Sequence, residues 1–155
     1  MKYFQHYYTG IEADVFDNLG GGLYLVGTCV FNPINEDEKY YWIKVGKASC
    51  FGSRMRNYNT HNPMLWKGSF LPCEDKKFCH YLERIFQDVL RVEAIGKHDS
   101  RTSEWFRVSK EVYLKICNNG FNFFKNHPQY KHNCKVRYQF LDFSKIPWND
   151  AVQAS

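Results

Sequence analysis

The sequence has no apolar run approaching the ~20 residues needed to span a bilayer, and no internal repeat or low-complexity tract. Its first residues, Met1-Lys2-Tyr3-Phe4-Gln5-His6, lack the apolar stretch and small-residue cleavage site of a secretion signal. Six cysteines are present, at 29, 50, 73, 79, 117 and 134, yet no Cys-x-x-Cys pair occurs, which argues against a zinc knuckle. Cys79-His80 and His132-x-Cys134 match no common zinc spacing. Without a secretion signal, reduced thiols are expected rather than a disulfide framework. The expectation from these absences is a cytoplasmic protein with no membrane partner.

What is present suits a globular chain. With 155 residues, 44% of them hydrophobic and 24% charged, wholesale disorder is excluded. A chain of this length buries about two-thirds of its unfolded surface and needs neither disulfide nor metal to hold a core. Twenty-one basic residues against sixteen acidic ones give a net charge of +5, compatible with a polyanionic partner. Aromatic residues make up 18%, including eleven tyrosines. Bases stack on exposed aromatics, although the same residues fill cores.

Thr9-x-x-Glu12 forms a capping box at the start of a predicted helix carrying Ile11, Val15 and Leu19, stopped by Gly20-Gly21-Gly22. Residues 23–31 predict a buried strand, 32–38 a polar loop and 40–45 a second strand, most simply an antiparallel hairpin. Ser53 predicts the N-cap of a short helix over 54–60, and 66–71 a third strand. The clearest helix runs over 75–91, with Phe78, Leu82, Ile85, Phe86 and Val89 as its apolar stripe. An extended stretch over 105–108 precedes a helix capped by Ser109 and closed by Gly120. Beyond Asn126 the composition turns polar and basic until residues 136–141, which alternate like an edge strand. This order implies an α+β fold with a small antiparallel sheet.

Gly22-Leu23-Tyr24 is followed by Lys44-Val45-Gly46, by Arg54 opening a helix, by Tyr58 one turn on, by Glu83 within the long helix, and by Ser103-Glu104-Trp105-Phe106. In this order, over about residues 22–106, the set resembles the GIY-YIG nuclease superfamily. Lys44 stands where the family has its second tyrosine, as in one branch of that superfamily. The gap between the first two motifs is longer than usual, and the late asparagine has no clear counterpart. The resemblance implies a three-stranded antiparallel sheet flanked by helices. Residues 1–125 would form the nuclease domain, and 126–155 a C-terminal extension packed on it or contacting DNA or a partner. It implies a metal-dependent endonuclease hydrolysing DNA by a single-metal mechanism with a tyrosine-activated water. Mg²⁺ or Mn²⁺ would be bound as one ion per site by Glu83. Tyr24, Lys44, Arg54, Tyr58 and Glu83 would be catalytic, with Lys47, Arg56, Asn59 and His61 as nucleic-acid contacts. A homodimer is compatible with this reading.

The residues support such chemistry on physical grounds. Phosphodiester hydrolysis needs a deprotonated water and neutralisation of charge growing on the phosphoryl oxygens. Tyr24 and Lys44 project to one face of a hairpin. A cation beside a phenol favours phenolate, and a neutral lysine would instead take its proton. Arg54 and Tyr58, four apart, share a helix face, and a guanidinium offers planar donors to phosphate oxygens. Glu83 borders an apolar stripe, so it is either a boundary residue or paired, with a cation or with Arg84 or Arg54 as candidates. Glu104 is better explained as structural. Two other function classes remain: a non-catalytic nucleic-acid-binding or regulatory module that retains the fold, and an interaction domain unrelated to nucleic acid.

Overall fold

The computed structural model describes residues 20–31, 39–50, 69–96 and 104–153. The helices expected over 9–19 and 54–60 lie outside the described residues, as do Arg54, Arg56, Tyr58, Asn59 and His61.

β1 (Gly22–Phe31) and β2 (Lys39–Ala48) pair antiparallel, from Gly22 opposite Ala48 to Phe31 opposite Lys39. Side chains alternate across a strand. Leu23 and Leu25 of β1 and Ile43 and Val45 of β2 therefore share a face, and all four are fully buried in the core. Tyr24, Val26 and Thr28 point to the opposite face and are buried too. Burial on both sides explains why β1 is a nearly continuous apolar run in the sequence.

β3 (Ser69–Pro72) pairs antiparallel with the first residues of β1. β4 (Phe106–Val108) pairs with residues 41–43 of β2, and β5 (Val152–Gln153) pairs with β3. The fold is α+β as expected, but the three expected strands are the centre of a five-stranded antiparallel sheet in the order β4-β2-β1-β3-β5. β4 forms within the stretch expected to be extended over 105–108, while β5 is two residues long, too short to show a periodic pattern of its own.

α1 (Lys76–Glu93) begins at Asp75, whose carboxylate accepts the backbone N–H groups of Lys77 and Phe78 at 3.1 Å each. Its buried stripe of Cys79, Leu82, Ile85, Phe86, Val89 and Leu90 packs on the Leu23–Val45 face of the sheet. α2 (Lys110–Asn119) is capped by the Ser109 hydroxyl, which accepts the Val112 N–H, and closes where the Gly120 N–H returns to the Ile116 carbonyl. Two short helices follow, α3 (Asn122–Lys125) and α4 (Pro128–His132). Tyr130, Tyr138 and Ile146 then join the core cluster, and Trp148 meets Phe86 at a ring separation of 6.1 Å. No helix among the described residues is long and apolar enough to cross a membrane.

The edge strand expected over 136–141 does not form. Asn133–Arg137 continues α4 as a wider π-helical turn, closed by the Tyr138 N–H on the Asn133 carbonyl at 2.8 Å. The alternation there reflects a helical surface: Val136 is exposed while Tyr138 is buried against the core.

Candidate active site

Tyr24 lies on the sheet face opposite α1, directly across from Gly46 on β2 and Phe70 on β3. A Cβ on Gly46 would overlap the Tyr24 ring and hydroxyl, so the phenol lies across the backbone at this point. Gly22 answers a second close approach, since a Cβ there would overlap the Leu71 carbonyl oxygen and press on the Phe70 ring. Lys44, two residues before Gly46, shares the Tyr24 face. Its Nζ lies 5.8 Å from the centre of the Tyr24 ring and 3.0 Å from Glu104 Oε2. Glu104 stands two residues before β4, and the β4–β2 register brings it beside Lys44.

Glu83 approaches β2 from the α1 side. Among the described residues, β4 covers β2 at residues 41–43. Past that point the Lys47 backbone N–H donates to the Glu83 carboxylate, and Gln87 Nε2, one helical turn on, donates to the Val45 carbonyl at 3.4 Å. Helix side chains four apart thus meet backbone groups two apart on the strand. Burial pushes the Glu83 carboxyl above its ordinary range, and the Glu104 charge adds to that. The Lys47 and Lys44 charges and the Lys47 N–H oppose the rise without cancelling it.

Lys47 Nζ donates to His80 Nδ1 at 3.3 Å, which assigns the imidazole proton to Nε2. Beside this pair, Gly21, Gly22, Lys47, Cys73, Lys76 and Cys79 line a cleft of about 440 Å³. The Cys73 and Cys79 thiols hydrogen-bond one another. That bond lowers the pKa of Cys73 and, together with burial, raises that of Cys79.

Tyr24 and Lys44 therefore meet on one face, Glu83 and Lys47 on the other. The two pairs communicate around the β2 edge, where Lys44, Glu104 and Glu83 lie within electrostatic reach of each other. The Glu83 carboxylate accepts the Lys47 backbone N–H, and the alternative partner Arg54 lies outside the described residues. The sequence reading missed three members: Glu104 as the ion-pair partner of Lys44, His80 as the partner of Lys47, and Gly46 as the seat of Tyr24. His80 was discoverable, since it stands three residues before Glu83 and so on the same side of α1. Glu104 was not, because its placement depends on the β4–β2 pairing.

Among the described residues, no three histidine, cysteine, aspartate or glutamate side chains group together to hold a metal. A hard divalent cation such as Mg²⁺ needs only one or two protein carboxylates, with water and phosphate oxygens completing its shell. Glu83 fits that requirement, since its carboxyl is raised by burial and a cation would relieve the cost of its charge.

The described fold and site define a small α+β domain with an open antiparallel sheet, compatible with a nuclease-like fold. The chain belongs to the T5orf172 domain family, whose model matches residues 23–119, more than half of the chain. That family is nuclease-associated, in keeping with a nucleic-acid-related function. No curated protein and no solved structure matches the chain. The family match corrects the resemblance to the GIY-YIG superfamily, because T5orf172 is a distinct family. Packing accounts for the glycines of two of those motifs: Gly22 and Gly46 are the positions where β3 and the Tyr24 ring come too close for a Cβ.

Proposed function

We propose that the protein is a metal-dependent endonuclease that hydrolyses DNA phosphodiester bonds. The observation that carries this reading is Glu83, a half-buried carboxyl raised by burial and set near the Lys47 and Lys44 charges, past the part of β2 that β4 covers among the described residues. Glu83 would hold a single Mg²⁺ or Mn²⁺ ion, which when bound neutralises charge growing on the phosphoryl oxygens. Tyr24 accepts the proton of the attacking water as phenolate, and the Lys44 ammonium near its ring favours that form. Glu104 holds Lys44 in place through their 3.0 Å ion pair. Arg54 and Tyr58, by their residue chemistry, supply donors to the scissile phosphate. Lys47, Arg56, Asn59 and His61 contact the flanking backbone.

One observation favours a second reading. Glu83 and Lys44 each have a protein partner, the Lys47 N–H and Glu104, as they would in a nucleic-acid-binding module without catalysis. Incubation of supercoiled plasmid with the protein and Mg²⁺ or Mn²⁺, with and without EDTA, separates the two. Nicked or linear product that EDTA prevents supports the nuclease. Salt-dependent binding with intact plasmid supports the binding module.

A further inference from the structure

We propose that Cys73 and Cys79 form a reversible oxidation site, in which a hydroperoxide oxidises Cys73 and Cys79 resolves the product into a disulfide. This site is independent of the nuclease reading.

The fold brings two cysteines from different elements to one point. Cys73 follows the last residue of β3, where its N–H donates to the Gly21 carbonyl at 3.1 Å. Cys79 lies in the first turn of α1. The Asp75 carbonyl between them accepts both the Cys79 N–H at 2.9 Å and the Cys73 thiol at 3.5 Å. The two thiols also hydrogen-bond one another. Their sulfurs therefore have only to close from that contact to the S–S length of about 2.05 Å. Cys29, Cys117 and Cys134 hydrogen-bond Tyr41, Tyr113 and Tyr130 instead.

Access divides the roles within the pair. Cys73 is half-buried and lines the 440 Å³ cleft beside Lys47 and Lys76, within reach of a small peroxide. Cys79 is 5% exposed and packs in the core. Its hydrogen bond also holds Cys73 below the ordinary thiol range, which favours the reactive thiolate there. An accessible, thiolate-prone cysteine beside a second thiol is the arrangement of a redox-responsive pair. In the first step the Cys73 thiolate attacks a peroxide oxygen. The S–O bond forms, the O–O bond breaks, and hydroxide leaves, so the sulfur is oxidised to sulfenic acid as the peroxide is reduced. The Cys79 sulfur then attacks the Cys73 sulfur. The S–S bond forms, the S–O bond breaks, and the Cys79 proton leaves with the hydroxide as water. Small thiols reverse the bridge by exchange, and all six cysteines are free in the resting chain.

The test exposes the folded full chain to hydrogen peroxide, alkylates the remaining thiols under denaturing conditions, and maps tryptic peptides without reduction. Trypsin cuts after Lys76 and Lys77, between the two cysteines, so the bridge joins two peptides that dithiothreitol separates. Wild type should show this linked pair before any other cysteine is oxidised. In Cys79→Ser, Cys73 should accumulate as sulfenic acid trapped by dimedone and pass on to sulfinic acid. In Cys73→Ser, Cys79 should stay a thiol at the same peroxide dose. Wild type in which Cys73 gathers sulfinic acid without the linked peptides overturns the proposal. So does a preferred bridge from Cys73 to another cysteine, a bridge that forms only in urea, or dimedone labelling of Cys73 equal in wild type and Cys79→Ser.

Discussion

The ring of Tyr24 lies across Gly46, so close that a Cβ at position 46 would overlap both ring and hydroxyl. Tyr24 is 2% exposed and faces Phe70 on its other strand neighbour, so the ring has little room to retreat. Gly46→Ala should therefore destabilise the protein by about 1–3 kcal/mol, the usual cost of overpacking, as read from urea unfolding. Cleavage should be lost with it, because the hydroxyl moves. Tyr24→Phe should keep the ring packing and near-wild-type stability while losing cleavage. A Gly46→Ala protein as stable as wild type would show that the ring is not pinned there.

Lys44 and Glu104 form an ion pair whose acid side is 62% exposed, so the pair should contribute less than about 1 kcal/mol to stability. Glu104→Gln should shift the unfolding midpoint little. Lys44→Ala should reduce cleavage at neutral pH by roughly a hundredfold or more, the range for a lost proton-transfer aid. Combining it with Tyr24→Phe should add no further loss, since the two act as one unit. Raising the pH should partly restore Lys44→Ala, because more phenolate forms unaided. Cleavage by Lys44→Ala at the wild-type rate would leave Lys44 only its role of tying β2 to the residues before β4.

Cys73 and Cys79 share a hydrogen bond but differ in reactivity. The bond to Cys79 holds Cys73 below the ordinary thiol range, while the same bond and burial push Cys79 well above it. The thiolate is the reactive form, and Cys79 is also buried. Iodoacetamide at neutral pH should therefore alkylate Cys73 well before Cys79, as resolved by peptide mass mapping. Cys79→Ala should slow the labelling of Cys73 by removing its hydrogen-bond donor. Equal rates at the two sites would contradict this.

Much of this architecture was legible because its signals are local. The stripe of α1 and the cap at Ser109 lie within a few residues of sequence. The alternation that brings Tyr24 and Lys44 to one face follows from antiparallel pairing. Features that depend on distant pairing were not legible. The extended stretch over 105–108 was readable, but its pairing as β4 with β2 was not, nor was β5 on β3, and Glu104 reaches Lys44 only through the first of these pairings. The segment after α4 misled for the opposite reason. A short alternation over residues 136–141 fits a strand, yet a helical turn also exposes Val136 and buries Tyr138.

Glu83 offers the sharpest test of a bound cation, because its two roles separate in one variant. Its carboxylate accepts the Lys47 N–H, and Glu83→Gln retains an amide oxygen able to accept the same bond, so the fold should survive. The folded protein holds the Glu83 proton more tightly than the unfolded chain, since burial raises the carboxyl pKa. This contribution to stability is complete below the unfolded carboxyl pKa of about 4.3 and is lost as pH rises through the raised folded value. Wild type should therefore lose stability relative to Glu83→Gln across that window, measured by urea unfolding at a series of pH values. At neutral pH, where the carboxylate is charged and costly, Mg²⁺ should raise the unfolding midpoint of wild type by mass action and leave that of Glu83→Gln unmoved. Cleavage should be abolished in the variant while DNA binding persists, because an amide cannot balance a cation's charge. Equal responses of the two proteins to Mg²⁺, with cleavage retained, would remove Glu83 from the metal site and leave it as the side chain that secures the edge of β2 to α1.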